Sequence, residues 1–397
     1  MAGQTLGPLP PYWTIGRKEH LNLMSAMKQP LSGYLGGQPS TGRFIRQLAE
    51  DWKAEFNVAY AIPCNSATSG LMAACMAAGI GPGDEVWVST YTMSATATCA
   101  LILGANVRFL DVDPNFFCID GHFEDPLPKA IIVTNLFGCA AMLHSLRKGC
   151  DDFGIVLIED NAQAPYATLD GTYTGTIGHM GVFSLNVHKH IQCGEGGVVV
   201  TNSEEYAGCL EEAINHGELK PGIIGGNFRM TEPIAAIACA QLKKGLANVQ
   251  NRIELAETIT DMFREVSFVL PPQRRQADRH SYYLWAGQIT GDPARTVRER
   301  FIRSLVGRGV LFKIGYATPL HQLFEGPVSL PVAEELENER LFTFEVCAYD
   351  PKLHHLNRMR DIILEEAEAL EKERCHVEPE NRRKRGDRSP LDVLGSH

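Results

Sequence analysis

The sequence predicts an α/β protein, with a large three-layer domain built on a mostly parallel sheet and a smaller C-terminal α+β domain. Seven short apolar segments between residues 58 and 201 alternate with helical segments, as in sheets joined by crossover helices. The length of 397 residues exceeds what one core ordinarily organises. Beyond about residue 250 the pattern changes to mixed strands and helices. We therefore predict an N-terminal arm and large domain over 1–250 and a small domain over 251–374.

The tail, residues 375–397, is expected to be disordered, because it has prolines, many charges and few apolar residues.

The composition of the whole chain narrows the class of protein further. A content of 44% hydrophobic and 21% charged residues is typical of a soluble globular protein. The net charge of −10 argues against a general nucleic-acid partner, and no apolar run is long enough for a membrane span.

Cysteine and histidine usage predicts a reduced protein without a metal. The 11 cysteines include no Cys-x-x-Cys pair, and an odd number cannot all pair internally, so we expect buried thiols in a cytoplasmic protein. The paired histidines His188/His190 and His354/His355 lack the ligand spacing of a metal site. The N-terminus has no basic and apolar targeting segment.

Each strand of the large domain is predicted from an apolar segment that ends at turn residues or polar groups. The predicted strands are 58–63, 85–89, 107–110, 130–134, 155–158, 180–183 and 197–201, and the helices include 41–56, the alanine-rich segment that ends at Ala78, 95–103 and the segment that continues from Pro233 to Leu242. Gly79 stands where a helix C-cap glycine belongs. In such sheets, ligands bind beyond the carboxyl ends of the strands.

The first strand passes directly into a helix through Asn65-Ser66-Ala67-Thr68. Helix N-termini hold phosphate through unpaired amides and a partial positive charge, and Ser66 and Thr68 add hydroxyl groups. A plain N-cap serine is the alternative interpretation, and for this segment alone it is the favoured one.

A lysine between two histidines, Lys189, lies in the turn that joins the last two predicted strands. A lysine is a good nucleophile when its amine is buried beside a carbonyl and partly uncharged. Asp160 follows the buried strand 155–158, so it is expected at the same edge of the sheet. An amine and a carboxylate in these positions are what an aromatic-aldehyde cofactor requires.

Together these residues resemble the DegT/DnrJ/EryC1/StrS sugar aminotransferase family, which has the fold of type I pyridoxal phosphate enzymes. The matching segments, in the family's order, are Gly79–Val86, Leu110–Asp113, Ile158–Gln163, Phe183-Ser184 with Lys189 and Gly194–Gly197, and Asn227–Thr231. They cover about residues 15–365, and the ordered set is highly specific.

The resemblance implies a role for each matching residue. Lys189 would bind the cofactor covalently and later move a proton, and Asp160 would pair with the ring nitrogen. The other implied cofactor contacts are Ala67, Thr68 and Ser184 at the phosphate, Gln163 beside the phenolic oxygen, Met93 at the ring face, and Asn227 from the second subunit of a homodimer with shared active sites. Arg229 would either meet a donor carboxylate or brace its own loop. Tyr316 and His321 are candidates for the sugar, with Lys313 and Arg17 as weaker candidates for a diphosphate; a loop histidine without a ligand is the alternative for His321.

Three positions depart from the family's usual pattern. Met93 stands where a stacking aromatic residue is usual; thioether contact can replace stacking, and Tyr91 is nearby. Asn135 stands where a histidine is common. Some members carry a histidine instead of the lysine and act as deoxygenating dehydratases, so the register around Lys189 matters. Lys189 follows Ser184 by five residues and precedes Gly194 by five, as in the aminotransferases.

The predicted function is transfer of an amino group from L-glutamate or glutamine to a nucleotide-linked keto-sugar, with pyridoxal 5′-phosphate as cofactor. Such a reaction belongs to polysaccharide biosynthesis, including that of lipopolysaccharide. A cyclitol aminotransferase of the same family, acting on a keto-inositol, is the first alternative. A non-catalytic scaffold or regulator is expected to lack Lys189 or Asp160, and both are present. A nucleotide-phosphate protein without pyridoxal is disfavoured, because the Gly-x-x-x-x-Gly-Lys pattern is missing.

Overall fold

The structure is a computed structural model that describes residues 5–32, 34–35, 38–39, 42–119, 123, 126–218, 222–324, 326 and 328–386. For residues 34–35, 38–39 and 374–386 only the backbone is described. The central element is a seven-stranded sheet. Its strands are β1 (Tyr60–Cys64), β2 (Glu85–Ser89), β3 (Asn106–Leu110), β4 (Ala130–Thr134), β5 (Val156–Asp160), β6 (Met180–Ser184) and β7 (Gly197–Thr201).

The strand order across this sheet is β1-β7-β6-β5-β4-β2-β3. Strand β7 is antiparallel to both of its neighbours, and the remaining pairs are parallel. The predicted mostly parallel α/β sheet is therefore confirmed. Because β7 alone runs in the opposite direction, the carboxyl ends of the other six strands share one edge, where ligands bind in such folds.

Helices cover both faces of the sheet and make it the middle of three layers. The helices are α1 (Arg17–Ala26), α2 (Arg43–Phe56), α3 (Ala67–Ala77), α4 (Ala95–Ile102), α5 (Leu143–Phe153), α6 (Glu204–Ile214), α7 (Glu232–Leu242) and α8 (Gly245–Phe263). Side chains alternate between the faces along a strand. On β6, Val182 packs in the cluster of α3, α4 and α6, and Phe183 packs in the cluster of α2, α7 and α8.

A second, four-stranded sheet follows, in the order β8-β9-β11-β10 with all pairs antiparallel. Its strands are β8 (Val269–Leu270), β9 (Trp285–Ile289), β10 (Lys313–Ile314) and β11 (Leu341–Phe344). Its helices are α9 (Ala294–Gly307), α10 (Leu320–Leu323), α11 (Pro331–Glu335) and α12 (Leu353–Gly386), with a π-helical turn at Leu336–Arg340. Short two-residue strands pair at Tyr34–Leu35 with Gln38–Pro39 and at Thr168–Leu169 with Thr172–Tyr173, and a 3-10 turn lies at Leu136–Gly138.

The expected disorder of residues 375–397 stays a prediction. Helix α12 continues to Gly386, and residues 387–397 lie outside the described part of the chain. The extension is rich in glutamate and arginine, which have good helix propensity. The boundary predicted near residue 250 falls inside α8, and the division into domains stays a prediction.

Local signals in the sequence account for the ends of the elements near the strand edge. Ser66 is the N-cap of α3, and its hydroxyl accepts a hydrogen bond of 3.1 Å from the Ser69 amide, as the capping interpretation predicts. Gly79 follows that helix with φ of +67°, a conformation that favours glycine. Glu232 is the first residue of α7, and its buried carboxylate also accepts the Phe44 and Ile45 amides at the start of α2.

Candidate active site

The turn between β6 and β7 presents Lys189 at the strand edge. The backbone amides of Leu185 and Val187 bind the carbonyls of Gly196 and Gly194, which closes the base of the turn. His188 has φ of +75°, a left-handed conformation that is uncommon for a residue with a side chain. The half-buried Lys189 side chain extends so that Nζ lies 4.1 Å from the centroid of the Tyr283 ring.

The three basic residues of this turn have different surroundings. His190 is fully buried, and its Nε2 lies 2.8 Å from the Ser281 carbonyl. Burial lowers the pKa of His190 well below its ordinary value, which keeps the ring neutral. His188 is exposed. Lys189 instead extends its amine over the Tyr283 ring. This supports lysine, and not a neighbouring histidine, as the residue at the functional position.

The amine of Lys189 is set up to be partly uncharged near neutral pH. Burial lowers the pKa of Lys189 from its ordinary 10.5 to about 8; the charge of Asp160 opposes this shift, and the charge of Arg252 adds to it. An uncharged amine is the nucleophilic form. Lys189 and Asp160 are thus close enough for each charge to stabilise the other.

Asp160 is the last residue of β5 and is buried. Its Oδ2 accepts a hydrogen bond of 2.7 Å from the Thr96 hydroxyl, and Oδ1 accepts one of 3.2 Å from the Ala162 amide. Burial raises the pKa of Asp160, and these hydrogen bonds oppose the rise. The two contacts fix the orientation of the carboxylate, which can therefore meet a cationic nitrogen without reorganising.

Gln163 and Tyr316 form a second fixed pair at the strand edge. The Gln163 Oε1 accepts the Phe137 amide at 2.9 Å, and its Nε2 donates to the Tyr316 hydroxyl at 2.7 Å. The Tyr316 ring contacts Phe137 edge-on, with centroids 4.9 Å apart. Burial raises the pKa of Tyr316 to about 12, so the hydroxyl stays protonated and can donate a hydrogen bond.

The predicted phosphate end forms where β7 meets α3. A Cβ at Gly197 would lie 2.7 Å from the Ala67 amide nitrogen, so glycine permits the close approach of these two elements. Ala67 is buried and Thr68 is exposed in the first turn of α3, where amides lack intrahelical acceptors. Ser184 lies at the adjacent end of β6 and is 8% exposed.

The loop that carries Asn227 and Arg229 contacts this end of the sheet. The Asn65 amide donates to the Phe228 carbonyl at 2.7 Å, and the side chain of Asn227 is exposed. The Arg229 Nη1 donates to Asn215 Oδ1 at 2.7 Å. Of the two roles left open for Arg229, this contact supports bracing of the loop.

Met93 lies in the loop between β2 and α4 with 54% of its surface exposed, and its sulfur accepts the Ala95 amide at 3.2 Å. Tyr91 does not replace the stacking residue that the family usually has there. It is fully buried, and its hydroxyl donates to Glu337 Oε2 at 2.6 Å. The contact of Met93 with the ring face stays a prediction.

His321 is held by protein groups on both sides, and its role toward the sugar stays a prediction. Its Nδ1 lies 2.7 Å from the Thr90 hydroxyl and its Nε2 lies 3.0 Å from Glu334 Oε1, and the residue is 1% exposed. Because both ring nitrogens have partners, His321 ties α10 to the end of β2. Lys313 pairs with Glu345 and Arg17 is exposed, so neither gains support as a diphosphate contact.

Several site residues were not found from the sequence. Thr96 orients Asp160, Tyr283 covers Lys189, and Arg252 binds the lysine turn from α8. Asn135, whose role was undetermined, is fully buried and joins Glu159, Asn161 and the Ala141 amide through hydrogen bonds of 3.0 Å each. The one signal in the sequence for a role of Asn135 was its position directly after a strand.

The sheet, the lysine turn and the carboxylate together define the class of fold-type I aminotransferases. Comparison with protein families gives a match to the DegT/DnrJ/EryC1/StrS aminotransferase family over residues 27–342. The chain belongs to this family, whose members are sugar aminotransferases that depend on pyridoxal 5′-phosphate.

Individual relatives include enzymes of two substrate types. The chain is 29% identical to GDP-perosamine synthase of Caulobacter vibrioides over 78% of this chain and 84% of that protein. It is 36% identical to L-glutamine:2-deoxy-scyllo-inosose aminotransferase of Streptomyces kanamyceticus over 71% and 70%. An aminotransferase structure from Psychrobacter cryohalolentis superposes with a TM-score of 0.81 at 26% identity, covering 90% and 98% of the two chains.

Neither a metal cluster nor a membrane helix is found in the described part of the chain. No group of three or more histidine, cysteine, aspartate or glutamate side chains there is arranged to hold a metal ion. Among the helices described, none combines the length and the apolar character needed to cross a bilayer.

Proposed function

We propose that this protein transfers the amino group of L-glutamate or glutamine to the keto group of a nucleotide-linked sugar. The observation that carries the proposal is the meeting of Lys189 and Asp160 at one strand edge, with His188 and His190 turned elsewhere. A lysine in this position favours transamination over the dehydration that a histidine would imply. The family supports an aminotransferase of sugars.

The residues present fit pyridoxal 5′-phosphate. Asp160 offers a buried, oriented carboxylate for the ring nitrogen, and the first turn of α3 with Ser184 offers amide and hydroxyl donors for the phosphate. Gln163 would lie beside the phenolic oxygen and Met93 at the ring face. When bound, the cofactor withdraws electrons from the carbon that exchanges its proton.

The protein's own part in the reaction centres on Lys189. Its partly uncharged Nζ would attach the cofactor, be displaced by the amino donor, and then carry a proton between the two carbons of the exchange. The Tyr283 ring restricts where the amine can move. The Gln163–Tyr316 pair would hold a polar hydroxyl at the mouth of the site, where a sugar hydroxyl could be recognised.

The second subunit of a homodimer is also part of the proposal. Exposed apolar side chains on and beside α1, among them Met24, Met27 and Leu31, are 63%, 56% and 45% exposed, and burying such residues favours association. Asn227 is exposed next to the phosphate end of its own chain. A partner subunit that covers the apolar residues of α1 and the loop of Asn227 would bring Asn227 to a site shared between the two subunits.

A cyclitol aminotransferase is the second candidate. Its support is the 36% identity to L-glutamine:2-deoxy-scyllo-inosose aminotransferase, whose name specifies a glutamine donor and a free keto-inositol. The relative named as a GDP-perosamine synthase supports the nucleotide-linked candidate. Location in the cytoplasm, and a place in polysaccharide or lipopolysaccharide biosynthesis, rest on the family resemblance.

The test is an acceptor screen. The enzyme would be loaded with the amino form of the cofactor and mixed with UDP- or GDP-linked keto-sugars, or with free keto-inositols. Mass spectrometry would then identify the aminated product. Amination of a nucleotide-linked acceptor only is the predicted result, and amination of the inositol only would replace the proposal by the cyclitol candidate. A parallel screen tests glutamate and glutamine as donors. The amino acid that converts the cofactor back to its amino form is the donor.

A further inference from the structure

One face of α8 binds three consecutive backbone carbonyls of the lysine turn. The Arg252 Nη2 donates to the carbonyls of His188 and Lys189, at 3.0 Å each. One helical turn earlier, the Asn248 Nδ2 donates to the His190 carbonyl at 3.3 Å. Residues four apart lie on the same side of a helix, so a single helix face holds the whole turn.

We propose that Arg252 is a positioning residue for Lys189, which holds the left-handed turn at His188 and keeps a fixed positive charge behind the amine. This inference rests on the proposed role of Lys189. A left-handed backbone at a residue with a side chain persists when surrounding contacts maintain it. The two hydrogen bonds from Arg252 are to the carbonyl of this strained residue and to that of the residue after it.

The guanidinium of Arg252 is buried and only partly hydrogen-bonded. The side chain is 2% exposed, and Nε and Nη1 have no hydrogen-bond partner among the residues that the structure describes. The Tyr12 ring, 5.8 Å away, faces the guanidinium, and Tyr12 also donates to Asn248. A buried charge with unused donors is unfavourable for the fold, which is consistent with a functional reason for its presence.

The charge of Arg252 acts on a small set of groups. The ionisable groups that interact with the Lys189 amine through their charge or ring are Asp160 at the end of β5, Tyr283 before β9, Cys347 after β11, His190 in the same turn, and Arg252 on α8. Of these, Arg252 is permanently cationic. It therefore disfavours a second positive charge on the amine, which adds to the effect of burial.

The experiment compares Arg252→Met and Arg252→Lys with the control Arg298→Met, each in the full-length chain after removal of the cofactor. Arg298 is also buried, and it donates to the carbonyls of Glu337, Asn338 and Leu341. Arg298→Met therefore removes a buried guanidinium that binds backbone carbonyls, as Arg252→Met does, but it does so away from the lysine turn. Thermal unfolding establishes that each variant is folded.

The readout is competitive acetylation of Lys189 by trace acetic anhydride, with free phenylalanine as internal standard, followed across pH by peptide mass spectrometry. In the unsubstituted protein, the curve of Lys189 reactivity against pH should have its inflection near pH 8. Arg252→Met should move this inflection upward, which lowers the reactivity of Lys189 at pH 8. Arg252→Lys should give an intermediate shift, and Arg298→Met no shift.

An unchanged inflection in Arg252→Met, or an equal shift in Arg298→Met, would overturn the inference. A separate arm tests the proposed function: pyridoxal 5′-phosphate added before the reagent should protect Lys189 in the unsubstituted protein. Absence of protection would contradict the role of Lys189. The Arg252-dependent shift would still be measured, so the two failures are distinguishable.

Discussion

The Lys189 amine lies 4.1 Å from the centroid of the Tyr283 ring, which joins the lysine turn to the segment before β9. The same segment is tied to the end of β4, because the Tyr283 amide donates to the Phe137 carbonyl at 2.7 Å. Phe137 in turn donates its amide to Gln163. The position of the amine therefore depends on residues about 50 and about 90 positions away in the chain, brought together by the fold.

Tyr283 should contribute its ring face rather than its hydroxyl. We expect Tyr283→Phe to keep kcat/KM close to that of the unsubstituted enzyme, and Tyr283→Leu to lower it by about tenfold, the size of a partly buried cation–π contact. Steady-state kinetics with one donor and acceptor pair measures both. A large loss in Tyr283→Phe would show instead that the hydroxyl takes part.

Asp160 should be needed for turnover through its charge. Asp160→Asn keeps the size of the side chain but removes the charge, and kcat should fall on the order of 10²-fold or more. Thr96→Val removes the hydrogen bond that orients the carboxylate, so we expect a loss of about tenfold. Thr98→Val is the matched control, since Thr98 lies on the same helix and its hydroxyl donates to the Ser94 carbonyl. Equal losses at Thr96 and Thr98 would contradict the orienting role.

The charge of Asp160 should also set the pH range in which the lysine is reactive. Because that negative charge stabilises the ammonium form and raises the pKa of Lys189, Asp160→Asn should move the inflection of Lys189 acetylation below pH 8. The shift is opposite in sign to that expected for Arg252→Met. The same competitive labelling of the cofactor-free protein gives both values, and an upward shift in Asp160→Asn would refute this electrostatic account.

His321 should act in stability and not in substrate binding. His321→Leu removes the imidazole contacts to the Thr90 hydroxyl and the Glu334 carboxylate, while Glu334 keeps its hydrogen bonds from Ser329 and Leu330, and the free energy of unfolding should decrease by about 1 kcal/mol. Denaturant titration measures this change, and KM for the keto substrate should be unaltered. A raised KM at undiminished stability would restore His321 as a substrate contact.

The sequence predicted those parts of the site that follow directly from a strand. Asp160, Ser184 and the Ser66–Thr68 junction could be placed because strand ends of a wound sheet share one edge. Thr96 could not be distinguished from the neighbouring Thr92 and Thr98, since all three lie in or next to one short helix. Its role depends on which way that helix faces.

Other contacts could not be predicted because their partners are distant in the chain. Arg252 is more than 60 residues from the carbonyls it binds, and nothing in its local pattern separates it from a surface arginine. His321 was a candidate for the sugar from its place in the motif, with a loop histidine as the alternative, and its contacts with Thr90 and Glu334 could not be predicted. For the tail, composition predicted disorder, and it did not anticipate that α12 continues to Gly386.

The most direct test of the account is to locate the covalent attachment of pyridoxal 5′-phosphate. The loaded enzyme would be reduced with borohydride, digested, and mapped by mass spectrometry, with Lys189→Ala as a folded control. The account predicts a phosphopyridoxyl group on Lys189 in the unsubstituted enzyme, and neither attachment nor transamination in the variant. A cofactor fixed to another lysine, or substantial turnover by Lys189→Ala, would contradict it.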